Sequence, residues 1–214
     1  MYIPRHFQLE DHEAIAAVLR DHSFGTLVTT FDGEPQATHL PFVFDPDRGQ
    51  YGTLVSHMAR ANPQWQQFAR YGPEGGLALA IFQGPHSYIS PTWYGDTEPA
   101  VPTWNYIAVH AYGRPLILDD PSAVRALLDQ LVDTNEAGLD PQWSLSSQSD
   151  EYVERMMRAI VAFEIPLERL EAKAKLSQNK SDEMRLGAAD ALEAQGWPDS
   201  AEIARLMRTP PASS

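Results

Sequence analysis

The sequence contains no cysteine and has few basic residues relative to acidic ones. Without cysteine the chain can form no disulfide, no thiolate nucleophile and no cysteine-type zinc site. Lysine and arginine together number 16 against 29 aspartate and glutamate residues, which gives a formal charge of −13 and a pI near 4.8. Because a field of this sign repels the phosphate backbone, direct high-affinity binding to DNA needs a local basic patch or a partner protein.

Several common functional signatures are also missing from the 214 residues. No apolar run approaches membrane-spanning length, and the start of the chain has no apolar signal core, so we expect a cytoplasmic protein without a membrane partner. The glycine-rich phosphate motifs of P-loop and Rossmann proteins do not occur, and neither does the G-x-S-x-G nucleophile motif. The arginines are scattered, so no helix face predicts a nucleic-acid interface. The sequence identifies no general base and no nucleophile.

Seven histidines are present, but none has the spacing of a helical metal-binding pair. Four of them fall on separate predicted strands: His39, His57, His86 and His110. One interpretation is that they converge on a metal or haem. The other is that each takes a hydrogen-bonded place at the rim of the core, which is the commoner environment of a strand histidine. We predict no metal site.

The hydrophobic pattern predicts six or seven mostly antiparallel strands with helical additions. Two β-rich runs, Phe24–Phe31 and Gln36–Phe44, flank Asp32-Gly33, which is a strong hairpin signal. Further strands are predicted at Tyr51–His57, Gly76–Gln83, Tyr106–Leu118 and around 159–165, and helices after Asp11, at Pro63–Arg70, after Asp120 and after Ser181. Because the first three strands follow one another directly, we predict an α+β fold with a closed or split antiparallel barrel rather than a parallel sheet.

The segment His86–Tyr106, HSYISPTWYGDTEPAVPTWNY, is rich in aromatic residues and has no lysine or arginine. Its prolines prevent a continuous strand, because each removes a backbone donor and restricts φ. We therefore predict two strand ends, around His86–Ile89 and Thr103–Tyr106, joined by a stiff loop, with Gly84-Pro85 as the turn before it. Large rings on such a loop suit a flat aromatic ligand or a partner subunit. Alternatively, the loop covers the core with its own tryptophans.

Polar and basic side chains cluster at the ends of two successive predicted strands. Thr38 and His39 end one strand, Ser56 and His57 end the next, and Arg60 and Asn62 follow at the start of a predicted helix. Hydroxyl, imidazole and guanidinium groups beside free helix amides could hold a phosphate. Each residue taken alone also has an ordinary structural explanation, such as helix capping by Asn62.

Seven motifs, in order along the chain, resemble the PaiB-type FMN-binding negative transcriptional regulators: MYIPRHF, FGTLVTT, ATHLPF, HMARANPQW, HSYISPTWY, VPTWNY and KLSQNKS. This resemblance implies a split β-barrel of the flavin reductase and pyridoxamine-phosphate oxidase type. It also implies a homodimer with FMN at the subunit interface, and repression of sporulation and protease genes. We expect residues 1–173 to form the FMN-binding domain and 174–214 a C-terminal linker and helical extension.

Carried onto this sequence, the resemblance implies roles for two sets of residues. Phosphate and ribityl contacts would come from the strand-end group: Thr38, His39, Ser56, His57, Arg60 and Asn62. The isoalloxazine would be flanked, in one subunit or across two, by Trp93, Trp104, Asn105 and Tyr106. From charge and hydroxyl placement we also predict a second anion clamp at Lys175, Ser177, Gln178 and Asn179. A solvated linker before a helix is the alternative for that segment.

Two functions of different classes remain open. The first is the regulatory role that the family resemblance implies, exerted on DNA directly or through a partner. The second is a flavin-dependent reductase or other oxidoreductase of small molecules, in which the flavin performs the chemistry and the protein positions it. The sequence identifies neither an electron donor nor a substrate, and it leaves open whether the protein is an enzyme.

Overall fold

The computed structural model describes residues 1–71, 77–95 and 99–211 as an α+β fold. The strands are β1 Phe24–Phe31, β2 Glu34–Pro41, β3 Val43–Asp45, β4 Thr53–Ala59, β5 Ala78–Ile89, β6 Thr103–Gly113, β7 Leu116–Ile117 and β8 Ile160–Lys175. The α-helices are α1 His12–Asp21, α2 Pro121–Glu136, α3 Asp150–Arg158, α4 Asp182–Glu193 and α5 Ser200–Arg208. Short 3-10 helices occupy Arg5–Phe7, Pro63–Tyr71, Pro91–Tyr94 and Leu145–Ser147. None of the helices in these ranges is both long and apolar enough to cross a membrane.

The strands form an antiparallel sheet in the order β2-β1-β5-β6-β8-β4-β3, with β7 also paired to β8. The predicted hairpin is confirmed: β1 and β2 pair from Phe24↔Pro41 to Phe31↔Glu34, and both turn residues have positive φ. The predicted single strand Gln36–Phe44 is wrong, because it breaks at Phe42. The strands on either side, β2 and β3, lie at opposite ends of the sheet order, and Phe42 alone joins them. The predicted barrel class with helices is confirmed.

The predicted turn at Gly84-Pro85 is wrong, since β5 runs through it to Ile89. A Cβ on Gly84 would lie 3.2 Å from the Cβ of Ile107, so glycine allows close approach to that residue of β6. The next backbone N–H, that of His86, donates to Asp199 Oδ2 at 3.2 Å. Asp199, which is remote in sequence, thus provides a hydrogen-bond acceptor for β5 at the residue after Pro85. Residues 96–98 of the predicted aromatic loop, and Gly76 of the predicted strand Gly76–Gln83, lie outside the described residues.

The predicted helix at Pro63–Arg70 is a 3-10 helix. Its three-residue period places Gln64 and Gln67 on the same face, and both side chains are buried. Gln64 Nε2 donates to Thr29 Oγ1 at 2.9 Å, and that hydroxyl donates to Gln67 Oε1 at 2.8 Å. Because both glutamines bond to Thr29, they must lie on one face, and the three-residue period of a 3-10 helix allows this. The predicted cap of this helix is confirmed, because Asn62 Oδ1 accepts from the Gln64 N–H at 3.0 Å.

Side-chain caps begin the other predicted helices. Asp11 accepts from the Ala14 N–H at 2.9 Å, and Asp120 accepts from the Ser122 N–H at 3.2 Å. These bonds satisfy amide groups that a helix start would otherwise leave free. The predicted helix starts are confirmed, including the one after Ser181.

The chain divides into two compact units. The first comprises Met1–His22, Phe82–His110 and Glu171–Ser214, and its core includes α4 and α5. The second comprises Ser23–Ile81 and Ala111–Leu170, and its core joins α2 to the sheet through Val43, Val55, Val124, Leu127, Leu131 and Ala162. The predicted boundary after residue 173 falls within β8, and the two-domain division stays a prediction.

Candidate functional site

In the second unit, the turn after β4 brings Asn62 and Thr38 together. Asn62 Nδ2 donates to Thr38 Oγ1 at 3.0 Å while its Oδ1 caps the following 3-10 helix. His39, the next residue of β2, points to the other face of the sheet. Its Nδ1 lies 2.9 Å from Thr26 Oγ1, and its exposed ring stacks on Phe24. Thr38 and Asn62 therefore form one polar pair, and His39 is separate from it.

Ser56 and His57 are neighbours on β4, and their side chains point to opposite faces. Ser56 is fully buried, and its hydroxyl donates to Pro41 O at 2.6 Å. His57 is half-buried on the other face, and burial lowers the pKa of its imidazole. Its Nδ1 is buried and has no hydrogen-bond partner in the part of the chain that the structure describes. The two residues therefore cannot bind one anion together, and His57 is a weak candidate for a phosphate contact.

Arg60 follows β4 and is exposed at the edge of a cleft of about 550 Å³. Its Nε donates to Arg158 O at 2.9 Å and one terminal nitrogen donates to Ile160 O at 2.8 Å. The guanidinium carbon lies 5.8 Å from the centre of the Trp65 ring. Two of the five N–H groups of the guanidinium are used in these bonds, and within the described ranges the other three have no acceptor and are left for an anion.

In the first unit, the segment KLSQNKS is a packed turn rather than a solvated linker. Ser177 has a φ of 64° and is 2% exposed. Its hydroxyl lies 2.7 Å from the Tyr94 hydroxyl and accepts from Asn105 Nδ2 at 3.0 Å. The Gln178 side chain bonds to the backbone, accepting from the Leu176 N–H and donating to Ala174 O, each at 2.7 Å. The predicted clamp residues Ser177 and Gln178 thus hold the turn together, whereas Asn179 is exposed.

The three lysines of the chain all lie between residues 173 and 180. Lys173 and Lys175 share a face of β8, where Lys173 donates to Tyr2 O at 3.2 Å and Lys175 donates to Thr103 Oγ1. Burial, and next the positive charge of Lys173, lower the pKa of Lys175. Neither lysine has a carboxylate partner among the described residues. Lys173 was missed by the sequence reasoning, although its two-residue spacing from Lys175 on a strand could have indicated it.

Aromatic rings cover the neighbouring surface. Trp104 is 54% exposed, and its ring centre lies 6.2 Å from those of His86 and of Tyr88. Trp93 contacts Tyr88 and, at 5.9 Å, Trp197. The predicted ring residues Trp93 and Trp104 therefore belong to one surface, which includes Trp197 from the C-terminal part of the chain.

Two other predicted ring residues of β6 have different surroundings. Tyr106 shares the face of Trp104, and its ring centre lies 5.2 Å from Lys173 Nζ. Asn105 points to the opposite face and is fully buried beside Ser177. In the part of the chain that the structure describes, no three His, Asp or Glu residues form a group that could hold a metal ion.

Residues 1–169 match the family described as "Putative FMN-binding domain". The chain is 36% identical over 207 residues to the protease synthase and sporulation protein PAI 2 of Bacillus subtilis (strain 168), covering 97% of this chain and 96% of that protein.

Two solved structures show a similar fold. The FAD and heme binding protein of Mycobacterium smegmatis has a TM-score of 0.59 at 18% identity, covering 89% of this chain and 81% of that one. The flavocytochrome Anf3 of Azotobacter vinelandii has a TM-score of 0.57 at 14% identity, covering 78% of this chain and 69% of that one. At these identities the similarity shows the fold alone. The family match and the 36% identity together show that this chain belongs to the FMN-binding domain family, of the PaiB type.

Proposed function

We propose that this protein is a homodimeric, cytoplasmic FMN-binding regulator that represses gene expression in response to the state of its flavin. The observation that carries the proposal is the Lys173–Lys175 pair. Two positive charges side by side, without a carboxylate partner among the described residues, favour binding of an anion. The exposed indole of Trp104 provides a flat apolar surface on the same unit. An anionic planar ring matches both features.

The available donors fit FMN. For the phosphate and ribityl chain the candidates are Arg60, with three unused N–H groups, and the Thr38–Asn62 pair. For the ring the candidates are Trp93, Trp104 and Tyr106, with Lys175 as the cation. A homodimer would allow the two sets to come from different subunits. His39, Ser56, Asn105 and Gln178 would support the fold rather than touch the cofactor, because the side chain of each is hydrogen-bonded elsewhere. His57 points to the opposite face of β4 from Ser56, and we assign it no contact with FMN.

When bound, FMN supplies hydride and electron transfer chemistry. Lys175 would stabilise negative charge at the ring. Burial and the charge of Lys173 lower its pKa, and a bound anion would oppose both effects. The aromatic surface would exclude water from one side of the ring. Reduction or loss of the flavin would then change the charge that Lys175 and Lys173 experience, which is the signal that we propose for regulation.

The proposed regulatory role is based on the name of the Bacillus subtilis relative, which refers to protease synthesis and sporulation. A formal charge of −13 opposes direct operator binding, so we propose that repression acts through a partner protein. Titration of the protein's own promoter region at low and moderate salt tests this point. Tight, sequence-specific and strongly salt-dependent binding of DNA by the purified protein would refute the partner model.

A purified sample tests flavin binding and assembly together. We expect the absorption bands of flavin in the protein as isolated or after reconstitution with FMN, and a dimer by light scattering. A protein that takes up no FMN, or a monomer with a full flavin complement, would contradict the proposal.

The second candidate is a small-molecule reductase, which the exposure of Trp104 favours because a planar substrate could stack there. Catalytic oxidation of NADH or NADPH with an electron acceptor would support that function. Reduction of the flavin without turnover would favour the regulator.

A further inference from the structure

A second cavity lies within the second unit, and of its lining residues Ile160 also lines the cleft at Arg60. It has a volume of about 290 Å³, and its walls come from α2, α3, the 3-10 helix Leu145–Ser147 and the sheet. Apolar side chains, among them Leu128, Val132 and Val153, form most of the lining. The volume is close to the lower end of the roughly 300–1,000 Å³ range of small-molecule pockets, which is enough for one or two rings.

Charge in the lining determines the kind of ligand. None of the described lining residues is Asp, Glu, Lys or Arg, and burial lowers the pKa of His57, which favours its neutral imidazole. A charged ligand would lose its hydration without meeting a counter-charge. FMN carries a phosphate and is therefore a poor occupant, whereas an uncharged molecule is a good one.

His57 provides one specific polar contact in this lining. Its ring lines the cavity, no hydrogen bond of the imidazole exists among the described residues, and its Nδ1 is buried without a partner. Buried polar side-chain atoms are normally paired, so this one requires an explanation. A neutral imidazole offers one donor and one acceptor, and rotation of the ring by 180° exchanges its nitrogen and carbon positions. A ligand with a single hydrogen-bonding group could therefore pair with it.

Large apolar side chains surround the mouth of the cavity. Trp143, Tyr152 and Met156 line it and are 43%, 41% and 41% exposed. Exposed apolar residues are unremarkable singly, but a group of three beside one cavity indicates a recognition site. Aromatic and thioether groups pack favourably on a flat ring.

We propose that this cavity binds an uncharged aromatic small molecule that carries one hydrogen-bonding group, with His57 as its polar partner. The site is independent of FMN and provides a place for an effector of the protein.

Ligand-observed ¹⁹F NMR with 5-fluoroindole as the probe, and fluorobenzene as an apolar comparison, tests the proposal on the FMN-saturated protein. We expect both resonances to broaden on adding protein and to recover with excess unlabelled indole. His57→Leu should weaken 5-fluoroindole binding by about tenfold, as expected for one lost hydrogen bond, and leave fluorobenzene binding unchanged. Val132→Trp should abolish binding of both probes by filling the cavity.

Ala126→Trp is the matched control, because it adds the same side chain to an exposed position of α2 outside the lining. It should bind both probes as the unaltered protein does, and thermal melting should show that each variant is folded. The proposal is overturned if neither probe binds, if Val132→Trp still binds, or if His57→Leu binds 5-fluoroindole normally. Release of FMN by indole would also overturn it, since the cavity would then be part of the flavin site.

Discussion

Replacing Lys175 with methionine should separate its effect on flavin binding from its effect on folding. Methionine keeps most of the length and removes the charge. The unaltered lysine donates to Thr103 Oγ1, and its Nζ lies 6.0 Å from the centre of the Phe7 ring. Burial and the charge of Lys173 lower its pKa, so the FMN-free protein holds a positive charge that its surroundings disfavour.

Two opposite effects follow from that geometry. A hydrogen bond to a charged group contributes about 1.5–3 kcal/mol, so Lys175→Met should weaken FMN binding roughly 10- to 150-fold. The FMN-free variant should melt at the same or a higher temperature, because the substitution removes a desolvated charge. In the unaltered protein, the lowered pKa of Lys175 means that its protonated form reduces the free energy of unfolding. This reduction is complete below the folded-state pKa and disappears as pH rises towards the ordinary value of 10.5.

FMN fluorescence quenching gives the affinity, and thermal melting without FMN at neutral and alkaline pH gives the stability. Lys180→Met is the matched control from the same basic segment; Lys180 Nζ lies over the Tyr94 ring, at 5.6 Å from its centre. We expect the control to change FMN affinity less than threefold, well below the range for a lost charged hydrogen bond. If Lys175→Met binds FMN as tightly as the unaltered protein, Lys175 is not a flavin contact.

Three further substitutions test other parts of the structure. Arg60→Ala should weaken FMN binding by about 1.5–3 kcal/mol in fluorescence titrations, and unchanged affinity would remove Arg60 from the site. Gly113→Ala should lower unfolding free energy by about 1–3 kcal/mol or more in urea melts, because the new Cβ would lie 2.3 Å from Pro166 O; a neutral result would refute that contact. Asn105→Ala should cost about 1–3 kcal/mol in the same assay, since it removes a donor from the buried Ser177 hydroxyl, and a fully stable variant would show that the bond is dispensable.

Local sequence signals predicted the elements whose determinants are close together in the chain. The hairpin at Asp32-Gly33 formed as expected because both turn residues adopt the positive φ that such a two-residue turn requires. The helices after Asp11 and Ser181 begin where their caps predicted. The turn predicted at Gly84-Pro85 was wrong because β5 continues through it beside β6, where Asp199, far along the chain, also accepts from the His86 N–H. No local pattern carries that information.

For the candidate site, too, the sequence predicted what depends on local residue order but not what depends on contacts between distant residues. Sequence motifs identified the family, the fold class and FMN as the cofactor, because these depend on residue types in a fixed order. Strand alternation, which places Ser56 and His57 on opposite faces of β4, is a sequence signal against one phosphate site that contains both residues.

The sequence by itself determined the fold class, the capped helices and the acidic character of the protein, since each follows from composition or from neighbouring residues. The tertiary structure alone decided which polar groups are occupied and which are free. Gln178 is held by its own backbone, Arg60 keeps three donors, and Lys173 and Lys175 have no carboxylate partner among the described residues. The physical reason is that hydrogen-bond satisfaction and desolvation depend on contacts between residues distant in the chain, and these exist only once the strands have paired.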